Sequence, residues 1–261
     1  MAVERSLSFL RDVHTFREGL DPELKPSWMK LTTITMVSSY LKDKDIKLDP
    51  DRVRTIFYKM KYIPLRLKGH TKANDWRVFY SDFYNQVTIG YEDNLSTKKV
   101  KIFPNGAMQI AGCADLLDCH LFVKQLCLII KMIFKHDVPT DSFRIVMINS
   151  NFSLNYKVDL YKVVELFEGK AKVAFDPDRY SAVKIKFKPQ PHMKEVTNSI
   201  FTSGAVIITG ANTIEEIAES YKAIVSTIMS ARDTYVEPNN QDKTFSHFLG
   251  FEITDWIKHI F

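Results

Sequence analysis

The chain contains one sequence pattern twice. Residues 99–112 and 197–210 share the core I-F-x-x-G-A-x-x-I-x-G, and the two copies lie 98 positions apart. A second shared pattern lies upstream, where Tyr84 and Tyr180, 96 positions apart, each precede a valine by three residues and an isoleucine by five. Two matched units of this length indicate a duplicated supersecondary module with approximate twofold symmetry. The repeat therefore constrains the fold more than any other feature of the sequence.

The composition is that of an ordinary globular protein. The 261 residues are 45% hydrophobic, which is enough for a sizeable core, and the net charge of +5 is mildly basic. A basic charge is compatible with a polyanionic partner but does not require one. The three cysteines are too few for a disulfide framework, and we interpret them as reduced core thiols of an intracellular protein. No apolar run approaches the ~18 residues of a membrane span, so we expect no membrane partner.

The sequence lacks the usual signatures of catalysis and metal binding. The seven histidines form no zinc-ligand spacing, and the chain contains no P-loop, dinucleotide-binding or nucleophile-elbow motif. We therefore expect neither an enzyme nor a cofactor or metal site.

The two repeats divide the chain into four parts. We predict an N-terminal extension over residues 1–28, a first repeat over 29–136, a second over 141–232 and a C-terminal extension over 233–261. Each repeat is predicted to contain a strand, a helix, further strands and a long closing helix. The first repeat carries a basic insertion at about 58–75 that the second lacks. This insertion is either an additional arm for a polyanion or another partner, or a disordered basic loop.

Turn and helix patterns add detail to this plan. Asn105-Gly106 lies between two predicted strands and is typical of a two-residue hairpin, because both positions accept a positive φ. Ser203-Gly204 occupies the matching place in the second repeat. The closing helices are predicted over 115–134 and 213–230. The first of them is apolar nearly all round, so we expect it to need a second partner besides the sheet, for which the terminal extensions are candidates.

Alternation along the strands assigns their two faces. In the second repeat Val183, Ile185 and Phe187 point to one side, toward the helices, whereas the lysines of residues 184–188 point to the other. We call the side turned away from the helices the outer face. In both repeats it carries large aromatics, small residues and hydroxyls as well as lysines, which is too apolar for plain solvent surface. The pattern predicts a binding face, although lysines on a strand can also be a solvated edge.

Across about residues 31–230 the chain resembles the TATA-box-binding protein family. Residues 200–211, I-F-T-S-G-A-V-I-I-T-G-A, carry the family's repeat signature, and residues 175–180, F-D-P-D-R-Y, are similar to its Y-E-P-E-L-F segment. The first repeat is more divergent, and its departures are typical of a copy from a large cytoplasmic DNA virus. The resemblance implies an α+β saddle, in which two pseudo-symmetric repeats form one curved antiparallel sheet with the helices on its convex face.

The resemblance also implies a function. The family binds double-stranded DNA in the minor groove through the concave sheet and bends it during transcription initiation. For this chain the binding mode is implied by the resemblance alone. The implied partners are DNA, a transcription factor IIB-like protein and the RNA polymerase machinery. The implied location is the nucleus, or a cytoplasmic virus factory for a viral chain.

Candidate site residues follow from aligning the two repeats with the family. Two aromatic pairs would wedge into base steps: Tyr84, Phe103, Tyr180 and Phe201. Eight positions would form the floor that meets the groove: Thr35, Val37, Gln109, Ala111, Met147, Asn149, Ile207 and Thr209. Five lysines would meet phosphates: Lys99, Lys101, Lys184, Lys186 and Lys188. Two acids in a turn would bind the factor IIB-like partner: Asp176 and Asp178.

The floor departs from the family's pattern at its centre. The family places a symmetric pair of asparagines where this chain has Thr35 and Met147, and neither side chain offers an amide to the acceptor-only floor of an A·T pair. In the first repeat Gln109 and Ala111 also replace apolar and hydroxyl residues of the family. We therefore expect a relaxed sequence preference, with the first repeat contributing less.

Three alternatives remain open at this point. A TATA-box-binding-protein-like scaffold that has lost DNA binding would serve protein interactions, and the polar floor is compatible with it. An accessory domain of the kind attached to some nucleases and glycosylases is disfavoured, because no catalytic domain follows in the sequence. A membrane-surface binder is disfavoured because no predicted helix pairs a basic face with an apolar one.

Overall fold

The structure is a computed structural model, which describes residues 2–60, 75–79, 85–93, 96–238, 247–248 and 251–252. Its helices are α1 (Ala2–Glu18), α2 (Pro50–Met60), α3 (Leu116–Phe134), α4 (Leu160–Phe167) and α5 (Ile214–Met229). Its strands are β1 (Lys30–Ser38), β2 (Asp75–Phe79), β3 (Val87–Glu92), β4 (Thr97–Ile102), β5 (Met108–Cys113), β6 (Arg144–Ser153), β7 (Tyr156–Val158), β8 (Lys172–Ala174), β9 (Ala182–Phe187), β10 (Val196–Phe201), β11 (Ala205–Ala211), β12 (Tyr235–Pro238), β13 (His247–Phe248) and β14 (Phe251–Glu252). Among the described residues, no helix is long and apolar enough to cross a membrane.

The chain packs as two compact units. One unit is Thr32–Val146, and the other combines Met1–Leu31 with Met147–Phe261. In the first unit the strands pair antiparallel in the order β2-β3-β4-β5-β1, and in the second in the order β8-β9-β10-β11-β6. The two orders match strand for strand. This correspondence is what a duplicated module requires.

In the first repeat, α2 and α3 pack on one side of the strands. The core on that side is aromatic: the ring centroids of Trp76 and Tyr91 lie 4.4 Å apart, and those of Tyr91 and Phe122 lie 5.1 Å apart. Val87 and Ile89 are fully buried on the same side of β3. The opposite side of these strands is the outer face of the first repeat.

In the second repeat, α4 and α5 cover β9, β10 and β11. Val183, Ile185, Val206 and Ile208 are completely buried beneath them. The residues between them on β9 and β11 are exposed or half-buried, so the two faces of these strands are those that alternation predicted.

The closing helices begin where the sequence predicts. Asp115 caps α3 by accepting a hydrogen bond from the Asp118 backbone N–H at 2.8 Å. Thr213 caps α5 in a capping box with Glu216.

Four large apolar side chains of α3 are exposed: Leu117, Leu121, Leu128 and Met132. Within the described part of the chain, these four side chains therefore remain accessible.

The two repeat turns use one glycine each rather than the expected two-residue hairpin. Gly106 and Gly204 both have φ +80°, whereas Asn105 does not have a positive φ. Asn105 instead accepts the Ala107 N–H through its side-chain oxygen at 3.1 Å. Because asparagine can satisfy a neighbouring backbone donor in this way, the turn needs the left-handed conformation only at glycine.

The N-terminal extension is a structural part of the second unit. Helix α1 packs against α5, and Val13 is fully buried. Arg17 is also buried: its Nη1 donates to the Tyr221 hydroxyl and to the Pro26 carbonyl, both at 2.6 Å, and its guanidinium lies 4.3 Å from the Trp28 ring. Burial raises the pKa of Tyr221 to about 12, so its neutral hydroxyl also donates to the Ser27 carbonyl.

Candidate nucleic-acid interface

Two of the predicted wedges meet on the outer face of the second repeat. The ring centroids of Tyr180 and Phe201 lie 5.9 Å apart, with the planes at 64°. Tyr180 is 40% exposed, and Phe201 is half-buried. The Lys184 Nζ lies 4.3 Å from the centroid of the Tyr180 ring. The folded second repeat therefore places an accessible aromatic pair beside a cation.

The turn after each I-F motif holds the phenylalanine in place. The Gly204 N–H donates to the Phe201 carbonyl at 2.8 Å, and the Gly106 N–H donates to the Phe103 carbonyl at 2.9 Å. A Cβ on Gly204 would lie 1.9 Å from the Tyr156 carbonyl oxygen, so the backbone packing excludes any side chain there. The repeated glycine thus fixes where the strand ends and where the aromatic side chain emerges.

The first repeat is described only in part at this site. Phe103 is half-buried at the end of the β4 segment, as its counterpart Phe201 is in the second repeat. Tyr84 lies outside the described residues, as does most of the basic insertion, residues 61–74. An aromatic that the sequence reasoning missed, Phe79, is 40% exposed on the outer face of β2.

The predicted phosphate lysines differ in their surroundings. Lys184, Lys186 and Lys188 are exposed along and just beyond β9. Glu195 joins two lysines, because its carboxylate lies 2.9 Å from the Lys172 Nζ and 3.0 Å from the Lys186 Nζ. A hydrogen bond from Lys172 and a second one from Lys186 lower the pKa of Glu195, so the carboxylate stays charged at neutral pH. Lys186 therefore carries a counter-ion of its own.

In the first repeat, the adjacent residues Lys98 and Lys99 of β4 lie on opposite faces. Lys99 is exposed on the outer face, and Lys101 is half-buried there between Thr88 and Gln109. Lys98 points inward and is completely buried, with its Nζ 2.6 Å from Asp118 and 2.9 Å from Asp93. Lys98 therefore belongs to the core, whereas Lys99 and Lys101 belong to the outer face.

The predicted floor positions follow the strand register. Thr35 lies opposite Ala111, and Val37 lies opposite Gln109. Thr35 is buried, with 3% of its surface exposed. The other seven positions are half-buried: Val37, Gln109, Ala111, Met147, Asn149, Ile207 and Thr209.

Two amides on β6 lie beyond the central methionine. The Asn149 Oδ1 accepts the Gly210 N–H at 3.3 Å, where β11 has an irregular register. Asn151, two residues further along the same face, lies opposite Ile207, and its Oδ1 is buried without a hydrogen-bond partner. Asn149 was a predicted floor residue and Asn151 was not, although alternation along β6 from Met147 indicates the same face for both. The amides that are absent at Met147 thus occur two and four residues later.

The acidic turn lies next to the wedge. Asp176 and Asp178 are exposed, and the Asp176 carbonyl accepts the N–H of Tyr180 at 2.9 Å and of Arg179 at 3.1 Å. The Asp176 carboxylate also lies 3.4 Å from the Arg179 Nε. One backbone hydrogen bond therefore joins the turn to Tyr180, the residue that carries the aromatic ring. No group of three histidine, cysteine, aspartate or glutamate side chains is placed to hold a metal ion in the described part of the chain.

Comparison with known proteins agrees with this arrangement. Residues 142–231 match the family model described as transcription factor TFIID, or TATA-binding protein (TBP). A protein of Acanthamoeba polyphaga mimivirus, named TATA-box-binding protein-like, is 27% identical to this chain over 171 residues. This alignment covers 54% of the chain and 46% of the relative, so the chain spans about half the length of that relative.

A solved structure shows the same fold. The TBP of Methanococcus jannaschii superposes with a TM-score of 0.53 at 16% identity, covering 78% of this chain and 99% of that protein. The predicted TBP-like fold is confirmed by this likeness and by the matched strand orders of the two repeats.

Proposed function

We propose that this chain, which is similar to TBP proteins in its second repeat and in its fold, binds double-stranded DNA in the minor groove, bends it, and acts in transcription initiation. The observation that carries the proposal is the Tyr180–Phe201 pair beside Lys184. Unstacking a base step costs a few kcal/mol, which only extensive contact with the bent duplex can offset. The outer face offers half-buried apolar residues for the groove and lysines for phosphates.

The sequence preference of this binding is proposed to be relaxed. Met147 cannot donate to the acceptors of an A·T pair, and the Asn149 amide, whose oxygen accepts the Gly210 N–H, lies two residues away from the central position. Minor-groove readout is degenerate in any case, so the shape and deformability of the duplex supply most of the remaining discrimination. We expect A·T-rich sites that contain TA steps to be favoured, because these steps kink easily, with a small margin over mixed sequences.

A salt-titrated binding assay tests this function. Duplexes that are A·T-rich, G·C-rich and random in sequence are titrated with the full chain, and bending is followed by energy transfer between dyes at the duplex ends. We expect binding to all three, bending, and a modest preference for the A·T-rich duplex. The Tyr180→Ala/Phe201→Ala variant should lose bending, whereas Tyr161→Ala, which removes an exposed aromatic on α4, should not. A wild-type chain that binds no duplex at low salt would favour the protein-interaction scaffold instead.

The partner proposal concerns the turn at Asp176 and Asp178. These exposed acids fit a basic surface on a transcription factor IIB-like protein, and charge complementarity of this kind governs partner choice. Reversing both to lysine should abolish capture of such a factor while DNA binding persists. Reversing Asp43 and Glu215, two exposed acids elsewhere, is the matched control with the same change in net charge. Capture that survives reversal of the turn would contradict the proposal.

The same reasoning extends to the cellular setting. A factor of this kind works with RNA polymerase machinery, in the nucleus or in a cytoplasmic virus factory. The mimivirus relative supports the viral setting. Co-purification of polymerase subunits with the tagged chain from infected cells, and its loss in the turn variant, would test this part.

A further inference from the structure

The two repeats carry different chemistry at one matching place on their outer faces. Val87 and Ile89 of β3 correspond to Val183 and Ile185 of β9, so Thr88 and Gly90 stand where the second repeat has Lys184 and Lys186. The neighbouring strand differs too. Phe79 lies opposite Thr88 on β2, whereas Ala174 lies opposite Lys184 on β8. Two lysines and an alanine in one repeat are thus replaced by a threonine, a glycine and a phenylalanine in the other.

The ring of Phe79 lies across Gly90. A Cβ added to Gly90 would be 2.3 Å from the Phe79 Cε2 atom. Gly90 lies inside a strand in regular register with Lys99, and its φ is outside the left-handed region, so the backbone does not require glycine. The glycine instead makes room for the ring. The first repeat therefore places an aromatic ring where β9 of the second repeat places lysines, while its own lysines on this face, Lys99 and Lys101, lie on the neighbouring strand β4.

This aromatic surface is accessible and lies beside the proposed DNA contacts. Phe79 is 40% exposed, although it is a large apolar side chain on a sheet. The Lys99 Nζ lies 5.5 Å from its ring centroid. Lys99, Lys101 and Phe103 are on the same face of the same unit. An exposed apolar group within such a set indicates a contact surface rather than plain solvent surface.

We propose that Phe79 is a further DNA-contacting residue, whose ring packs against the apolar face of a deoxyribose where the second repeat places lysines on phosphates. The proposal rests on the DNA-binding function proposed above. It assigns to the first repeat a contact that is independent of salt, because no counterion is released when an uncharged ring meets a sugar. The first repeat then holds the duplex by an apolar contact in addition to its lysines.

The first test separates this contact from a phosphate contact. Phe79→Ala should lower the affinity for every duplex by about tenfold and leave the slope of log affinity against log salt unchanged. Lys99→Ala, in contrast, should flatten that slope. Tyr161→Ala is the matched control, since Tyr161 is 66% exposed on α4 and lies off the outer face. Gly90→Ala should also weaken binding, because the new Cβ displaces the ring.

The second test detects the contact directly. In the Phe79→Trp variant, the tryptophan fluorescence in excess of the wild-type signal should change when a duplex is added. The indole at position 79 should then also be protected from quenching by acrylamide. Tyr161→Trp should show neither effect. This measurement decides the matter even where Phe79→Ala is unstable.

The outcomes distinguish the inference from the function on which it rests. If Phe201→Ala weakens DNA binding while Phe79→Ala binds as the wild type does and Phe79→Trp does not respond, the inference is wrong and the function stands. Phe79 would then only cover a glycine in the sheet. If the wild-type chain binds no duplex, the proposed function itself fails.

Discussion

Lys184 and Lys186 have the same predicted role but different electrostatic surroundings. The ammonium of Lys184 lies over the Tyr180 ring, whereas that of Lys186 is bound to Glu195. We predict that Lys184→Ala weakens binding to all duplexes alike and reduces the magnitude of the log–log salt slope by about 0.9, the value for one phosphate contact. Lys186→Ala should change the slope less, because Glu195 already neutralises that lysine. Lys170→Ala, at an exposed loop position, is the control.

The outcome at these lysines is read from the slope. An altered sequence preference at unchanged slope in Lys184→Ala would contradict a phosphate contact. Equal slopes for the two variants would show that the ion pair with Glu195 does not compete with DNA.

The adjacent lysines of β4 provide a stability test. Lys98 is fully buried between the carboxylates of Asp118 and Asp93, and Lys99 is exposed. Removing one partner of a buried ion pair leaves an uncompensated charge and costs about 3–5 kcal/mol. We predict that Lys98→Met lowers the free energy of unfolding by about this amount. The control Lys99→Met should stay within roughly 0.5 kcal/mol.

Urea unfolding measures both lysine variants. A Lys98→Met chain as stable as the control would mean that the buried network contributes little to folding. The pair also illustrates a limit of sequence reasoning. Alternation separates Lys98 from Lys99, but the partner Asp118 lies twenty residues away on α3 and becomes a neighbour only in the folded chain.

At the scale of elements, the strands and helices followed from the sequence, but the role of α1 did not. The closing helices predicted over 115–134 and 213–230 correspond to α3 and α5, which begin within a residue of the predicted start. Local patterns determine these elements. The docking of α1 depends on a buried Arg17, a residue whose charge makes the segment look like a solvated extension.

This docking is open to a direct test. Arg17→Ala leaves the Tyr221 hydroxyl and the Pro26 carbonyl without their buried donor, and each such loss costs about 1–3 kcal/mol. We predict a fall of about 2 kcal/mol or more in the free energy of unfolding, together with faster amide exchange in α1. Arg52→Ala, on the exposed side of α2, should be close to neutral. Unchanged exchange in α1 would show that Arg17 does not hold this helix.

The candidate site was predicted unevenly for a similar reason. The Tyr180–Phe201 pair could be anticipated because each residue occupies a fixed place in a repeated motif. Phe79 could not, because it follows the basic insertion, and its register against Thr88 depends on strand pairing that no local pattern specifies. Asn151 was not predicted, because the family's central amide corresponds to Met147, four residues earlier.

For the whole molecule, duplication produced two repeats with the same strand order but unequal binding faces. The family model matches residues 142–231, which is the second repeat, and that repeat keeps Ile207 and Thr209 beside its aromatic pair. The first repeat instead has Gln109 and a half-buried Lys101 on the same face. A half-buried ammonium is costly unless it reaches a phosphate, so we expect this half to follow a bound duplex less closely.

Unequal faces should produce unequal bending. We predict that Phe201→Ala loses more bend angle and more affinity than Phe103→Ala, because a wedge acts only where the surrounding floor can follow it into the groove. Energy transfer across an A·T-rich duplex measures the angle, and titration at fixed salt measures the affinity. Equal losses would contradict the asymmetry. A larger loss for Phe103→Ala would mean that the aromatic surface at Phe79 makes the first repeat the stronger half, since it adds apolar contact where the second repeat relies on charge.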